Sequence, residues 1–156
     1  MRIYLARHAR AVDAGSRLRD EDRFLTSEGR RAARAVGTAL RREGHTFDAV
    51  LTSPLVRAVQ TAELLAERTD FTGVVEALAG LSPGVPARAI AAELAAYGAR
   101  VLVVAHMPGI AMLGALLVGL PSFPPFHPGQ VSLVEDGQPI FALDPITLEF
   151  ERLLAR

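Results

Sequence analysis

Four short runs of β-branched and aliphatic residues, at 2–6, 48–52, 73–77 and 100–105, alternate with stretches near 27–43, 54–68, 87–97 and 109–118 whose apolar residues recur at helical spacing. Strict alternation of this kind leaves few folds open. Each strand must cross over through a helix before the next, which makes the sheet mainly parallel and puts helices on both of its faces. The expected class is therefore α/β, a three-layer αβα sandwich. The chain's last run, "QVSLVEDGQPIFALDPITLEFERLL" at 130–154, has turn signals at Asp136-Gly137 and Asp144-Pro145 between period-2 segments, so an antiparallel meander is expected there. Between helix and meander, "GLPSFPPFHPG" carries four prolines and reads as a stiff surface loop.

With no internal repeat, low-complexity tract or linker, residues 1–156 are expected to form a single domain, and a 50% hydrophobic content is enough to give it a core. The segment "VLVVAHMPGIAMLGALLVGL", 101–120, is long enough to cross a bilayer, but His106, Pro108 and Gly109 interrupt it. It reads as a buried strand feeding a buried helix, and no membrane partner is expected. The N-terminal residues hold too few apolar positions for a secretory leader, which leads to a cytoplasmic expectation. Cysteine is absent, which removes thiolate nucleophiles and disulfides from consideration.

Charge is distributed more tellingly than its zero total suggests. All 17 basic residues are arginine, and 12 of them stand beside 7 acidic residues in 1–57, so that part is at +5 and the remainder at −5. An anionic ligand suits the first third. Nucleic acid does not, because those arginines are interleaved with "DED" and lie along an amphipathic helix whose charged face is solvated in the ordinary way.

In open α/β sheets, ligands bind beyond the carboxyl ends of the strands. Three such exits carry polar residues that a buried strand end does not need. The first strand runs into "YLARHARA", which crowds Arg7, His8 and Arg10 together. Such crowding repels unless an anion lies between the charges, and a phosphate is the natural one. The second strand runs into "TSPLVRAVQT" at 52–61, where Ser53 is expected to cap a helix opened by Pro54, with Arg57 in its first turn. A cation there is unfavourable unless an anion joins it. The fourth strand runs into "AHMPG" at 105–109, bringing His106. Either histidine alone is an ordinary strand-end residue, but together with Arg7 and Arg57 they form a phosphate-handling set. A metal pair is disfavoured, since positive neighbours repel a cation and no Asp, Glu or Cys is near enough in sequence to complete a ligand set.

The segments "ARHA", "LTSPLVRAVQTAELL" and "LVVAHMPGI", with "RFLTSEGRRAA" at 23–33 and "LAGLSPG" after the third strand, resemble the histidine phosphatase (phosphoglycerate mutase-like) superfamily. In length and layout the chain is similar to its small SixA-type phosphohistidine phosphatases. The resemblance implies that His8 is a nucleophile forming a phosphohistidine intermediate, while Arg7, Arg57 and His106 hold the phosphoryl oxygens; His106 is expected to work protonated, as a donor to those oxygens. Neither metal nor other cofactor is implied. Ser53 and Arg10 are further candidates for substrate contact, although Arg10 stands where the family usually has a polar or acidic residue and is expected to face solvent. Positions where many relatives carry a general acid hold Gly80 and Met107 here. Glu76 is the nearest carboxylate in sequence and the candidate for that role.

The expected function is thus a phosphatase acting on a phosphoramidate or phosphomonoester, with protein phosphohistidine favoured because its imidazole leaves without a protein acid. The partner is a phosphorylated protein or a small phosphorylated metabolite. Two alternatives stay open: a broad small-molecule phosphomonoesterase, and a phosphate-binding regulatory module with little turnover.

Overall fold

A computed structural model describes residues 1–15 and 17–153 of the chain. Seven strands, β1 (Arg2–Arg7), β2 (Ala49–Thr52), β3 (Val75–Ala77), β4 (Arg100–Ala105), β5 (Val131–Glu135), β6 (Gln138–Leu143) and β7 (Phe150–Arg152), form one sheet in the order β3-β2-β4-β1-β5-β6-β7. The first four in that order are mutually parallel. From β1 onward every pairing is antiparallel. The mainly parallel sheet with a terminal meander matches the expectation, except that Leu154, the last residue of the expected meander run, lies outside the described residues.

Alternation along the strands sets the layers. Ile3 and Leu5 of β1, with Val101 and Val103 of β4, pack on α3 (Ala87–Glu93) and α4 (Gly109–Val118). Tyr4, Ala6, Leu102 and Val104 point the other way, onto α1 (Ser27–Arg42) and α2 (Val56–Arg68). Burial on both faces is why these strands read as unbroken apolar runs. At the β5–β6 hairpin, Asp136 and Gly137 both have positive φ, 49° and 77°, the two-residue turn that Asp-Gly predicts.

Several local expectations change. Helix α2 begins at Val56, with Leu55 extended before it, because the Ser53 hydroxyl is engaged elsewhere and Leu55 N–H donates back to it at 3.3 Å. Ser53 is thus not the helix cap. The helix expected at 87–97 ends at Glu93 and tightens into a 3-10 turn over Leu94–Tyr97, which keeps Leu94 buried. The proline-rich loop is not merely a surface element: Phe123 and Phe126 are buried and stacked, with ring centroids 5.8 Å apart. Segment 101–120 is strand β4 followed by ten-residue helix α4, and no helix among the described residues is long and apolar enough to cross a membrane.

One helix start bears directly on the site. Thr26 caps α1, its hydroxyl accepting from Gly29 N–H at 3.0 Å, while its own N–H donates to the Arg10 carbonyl, also at 3.0 Å. A Cβ on Gly29 would stand 2.1 Å from that same carbonyl oxygen. The glycine of "LTSEG" lets α1 seat against the backbone just beyond His8.

Candidate active site

Strands β2, β4 and β1 are neighbours, so their carboxyl ends deliver the three sequence motifs side by side. Arg7 pairs with Ala105 and Thr52 with Val104, which places His8, Ser53 and His106 one step beyond the paired ends. His8 N–H still donates to the Ala105 carbonyl at 3.0 Å, and Ser53 N–H to the Val104 carbonyl at 2.9 Å. The two imidazoles face each other with centroids 5.2 Å apart, tilted by 53°.

The tautomer of His8 follows from its partner. Nδ1 lies 2.8 Å from the Ala9 carbonyl, which can only accept, so Nδ1 carries the hydrogen and Nε2 keeps its lone pair. Burial is the largest cause holding its pKa down at about 4; the Ala9 carbonyl pulls upward next in size, and the charges of Arg57, Arg7 and Arg23 each add a smaller push downward. His8 is therefore neutral at neutral pH, the form that can attack phosphorus. The Ala9 N–H is held by Thr61 Oγ1 at 3.0 Å, and that hydroxyl donates to the Arg57 carbonyl at 2.8 Å. The His8 loop is thereby fixed to α2.

His106 Nε2 lies 2.7 Å from Ser53 Oγ. The other partner of that hydroxyl, Leu55 N–H, can only donate, so among the described residues Nε2 is the acceptor for the hydroxyl hydrogen, which leaves the ring hydrogen on Nδ1. Burial, then neighbouring His8 and Arg57, lower the pKa of His106 to about 3, so the protonated working form expected from the sequence depends on a bound anion. It acts as a neutral donor through Nδ1 until an anion arrives to favour the charged form.

The arginines are anchored by their outer nitrogens. Arg7 Nη1 donates to the Phe126 carbonyl at 2.8 Å, which gives the proline-rich loop its part in the site. Arg57, only 5% exposed, donates to the Asp20 carbonyl at 2.7 Å and to the Asp20 carboxylate at 3.2 Å. That carboxylate also takes Arg23 Nη1 at 3.0 Å, and the two arginines hold its pKa below the usual range, Arg23 with the larger effect. Asp20 supplies part of the negative charge that a cation in the first turn of α2 requires. Among the described residues, the buried side-chain nitrogens without a hydrogen-bond partner are Arg7 Nε, Arg57 Nε and His106 Nδ1. Each such donor costs about 1–3 kcal/mol when left unpaired, so their concentration around one histidine marks a place built for an acceptor-rich ligand.

Arg10 and Glu76 do not join this set. The Arg10 guanidinium is 70% exposed and pairs with Glu28 at 3.3 Å, so only its backbone serves the site. Glu76 is exposed on the edge strand β3, in register with Leu51, and is not among the charges that shift either pocket histidine. Asp20, Arg23, Thr61 and the Phe126 carbonyl were missed by motif reading. Arg23 and Thr61 stand at the edges of quoted motifs and "DEDR" lies one residue before "LT", but its charges had a solvated explanation. No group of three or more His, Cys, Asp or Glu among the described residues could hold a metal ion.

A sheet whose central strand ends bring two neutral imidazoles, one buried guanidinium and one half-buried guanidinium together defines a phosphoryl-transfer protein of the αβα class. Comparisons with known proteins narrow that class. The family profile described as histidine phosphatase superfamily (branch 1) matches residues 3–82. Phosphohistidine phosphatase SixA of Escherichia coli K12 is 29% identical over 164 residues, covering 99% of this chain and 100% of that protein. An uncharacterized protein of Picosynechococcus sp. is 36% identical over 114 residues, 70% of this chain and 68% of its own. The solved structure of the protein histidine phosphatase SixA complexed with tungstate superposes with a TM-score of 0.88 at 26% identity, covering 96% and 100% of the two chains. The chain belongs to the histidine phosphatase superfamily, is of SixA type, and is a phosphatase that works through a histidine nucleophile.

Proposed function

We propose that the protein hydrolyses phosphohistidine on proteins, with His8 as the nucleophile. The observation that carries this reading is the ring of buried, unpartnered N–H groups on Arg7, Arg57 and His106 beside an imidazole whose Nε2 lone pair is free. A tetrahedral oxyanion offers acceptors to all three donors at once. The tungstate held by the SixA relative is such an oxyanion, and it supports the same reading.

In the first step Nε2 of His8 attacks phosphorus and the bond from phosphorus to the substrate's imidazole nitrogen breaks. That ring, protonated beforehand by solvent on its other nitrogen, departs neutral. Arg7, Arg57 and His106 meet the charge on the equatorial oxygens, which is most of what phosphoryl transfer asks of a protein. Water then attacks the phosphohistidine, the P–Nε2 bond returns its electron pair to His8, inorganic phosphate leaves, and the proton lost by water passes to solvent. The fully formed Nδ1–H to Ala9 bond holds His8 in the attacking tautomer through both steps.

Substrate choice follows from what the site lacks in proton donors. Asp20 is ionised by its arginines and Glu76 is turned outward. An alkyl phosphate would have to expel a basic alkoxide unaided, at a cost of about 10²- to 10⁴-fold in rate, whereas phosphohistidine needs no such help. The test is a rapid-quench labelling with a phosphohistidine peptide, a phosphoserine peptide and an aryl phosphate. Label should appear on His8 in an acid-labile, base-stable linkage, and be lost in His8→Ala. Turnover should rank phosphohistidine, then aryl phosphate, then phosphoserine. Label on another residue removes His8 from the role, and efficient phosphoserine hydrolysis removes the substrate assignment.

A further inference from the structure

Helix α4 starts three residues after His106 and has no polar side chain in its sequence, "GIAMLGALLV". Ile110 and Leu113 are buried, as such a helix requires, yet Met112 and Leu116 are 55% and 45% exposed. A helix that is apolar all round is ordinarily covered all round. Beside it, in the loop after β3, Val85 is 40% exposed. Between that loop and the helix opens a cavity of about 220 Å³ with His106 in its wall and no other titratable side chain lining it. A shallower groove shares Pro86, Ala87 and Met112 with the cavity, carries Arg88 at its side, and continues past Leu116 to Leu120 and Pro121.

We infer that this strip is the surface on which the phosphorylated protein docks, with an apolar side chain close to its phosphohistidine seated in the cavity beside His106. The inference rests on the substrate reading above. Three features select this occupant. His106 belongs both to the cavity wall and to the site facing His8, so the strip continues the surface that the substrate meets. The cavity's size suits one apolar side chain, since a cavity of about 150 Å³ already takes a benzene ring. A small metabolite held at the strand ends leaves the apolar side chains of the strip, Met112, Leu116 and Leu120, uncovered, whereas a protein substrate covers them.

The experiment uses two phosphohistidine peptides of about twelve residues that differ only in carrying leucine or serine at the positions flanking the phosphorylated histidine. Burying one leucine side chain predicts a kcat/KM ratio of about tenfold or more in favour of the leucine peptide. In Met112→Glu and Leu116→Glu, whose changed side chains sit on the exposed helix face, the ratio should fall toward one. Reading a ratio makes the result independent of any general loss of activity. Equal turnover of the two peptides by the wild type, or a ratio that survives both substitutions, overturns the docking surface alone. Failure to hydrolyse either peptide while an aryl phosphate is hydrolysed overturns the substrate reading and this inference with it. A stable dimer that the same substitutions convert to monomer would show the strip covered by a second copy instead.

Discussion

Mild acid should loosen this fold through the two pocket histidines, independently of its carboxylates. His8 titrates at about 4 and His106 at about 3 in the folded chain, both chiefly because burial opposes the charged form. Unfolding returns each to roughly 6.5. Between those limits the unfolded state binds protons that the native state refuses, so the stabilisation is fully present above ~6.5 and declines as pH falls toward the folded values. One histidine lowers stability by about 1.4 kcal/mol per pH unit across that window, and the pair by about 5 kcal/mol over two units. That is a large share of the ~5–15 kcal/mol typical of a domain. Asp20, Asp48 and Asp144 are also held below their ordinary values, but their contribution disappears only further into acid. Half-buried His45 shifts in the same direction as the pair and serves as the background slope. Urea unfolding followed by far-ultraviolet circular dichroism at several pH values between about 6.5 and 4.5 measures the dependence. His8→Asn and His106→Asn should each flatten it by about one proton, and added inorganic phosphate should flatten it too, by making the charged imidazoles welcome in the fold. A double variant with the wild-type slope would refute the claim that these rings are neutral in the native state.

Other perturbations test the arginine scaffold. Arg7→Ala and Arg57→Ala should each lower kcat/KM by about a hundredfold or more, since each removes a charge-assisted contact to the transferring group, while Arg10→Ala, paired outside with Glu28, should matter little. Asp20→Asn removes the carboxylate from beside Arg57 Nη2, so inorganic phosphate should inhibit the variant several-fold more strongly, and weaker inhibition would mean that Asp20 acts mainly by positioning Arg57. Turnover should persist in excess chelator, because the guanidiniums supply the positive charge; loss on chelation with recovery on adding a divalent ion would count against the donor set described here.

Much of this arrangement could be read along the chain because its causes are local. Alternating apolar runs and helical spacing define layers, Asp136-Gly137 defines a hairpin turn, and a histidine or arginine directly after a buried strand is placed by the strand itself. His8, Arg57 and His106 were legible for that reason: each lies within a few residues of a strand end, and parallel neighbours bring such ends together. The remaining parts arise between segments distant in sequence. Ser53 fits a helix cap by composition, yet 53 residues separate it from the His106 ring that takes its hydroxyl. Asp20 reads as one solvated charge among "DED" until the fold lays it across Arg57, and the Phe126 carbonyl becomes an anchor for Arg7 only when its loop packs into the core. The charge state of His106 depended on tertiary structure most of all, since burial and neighbouring cations are properties of the packed crevice and no stretch of sequence carries them.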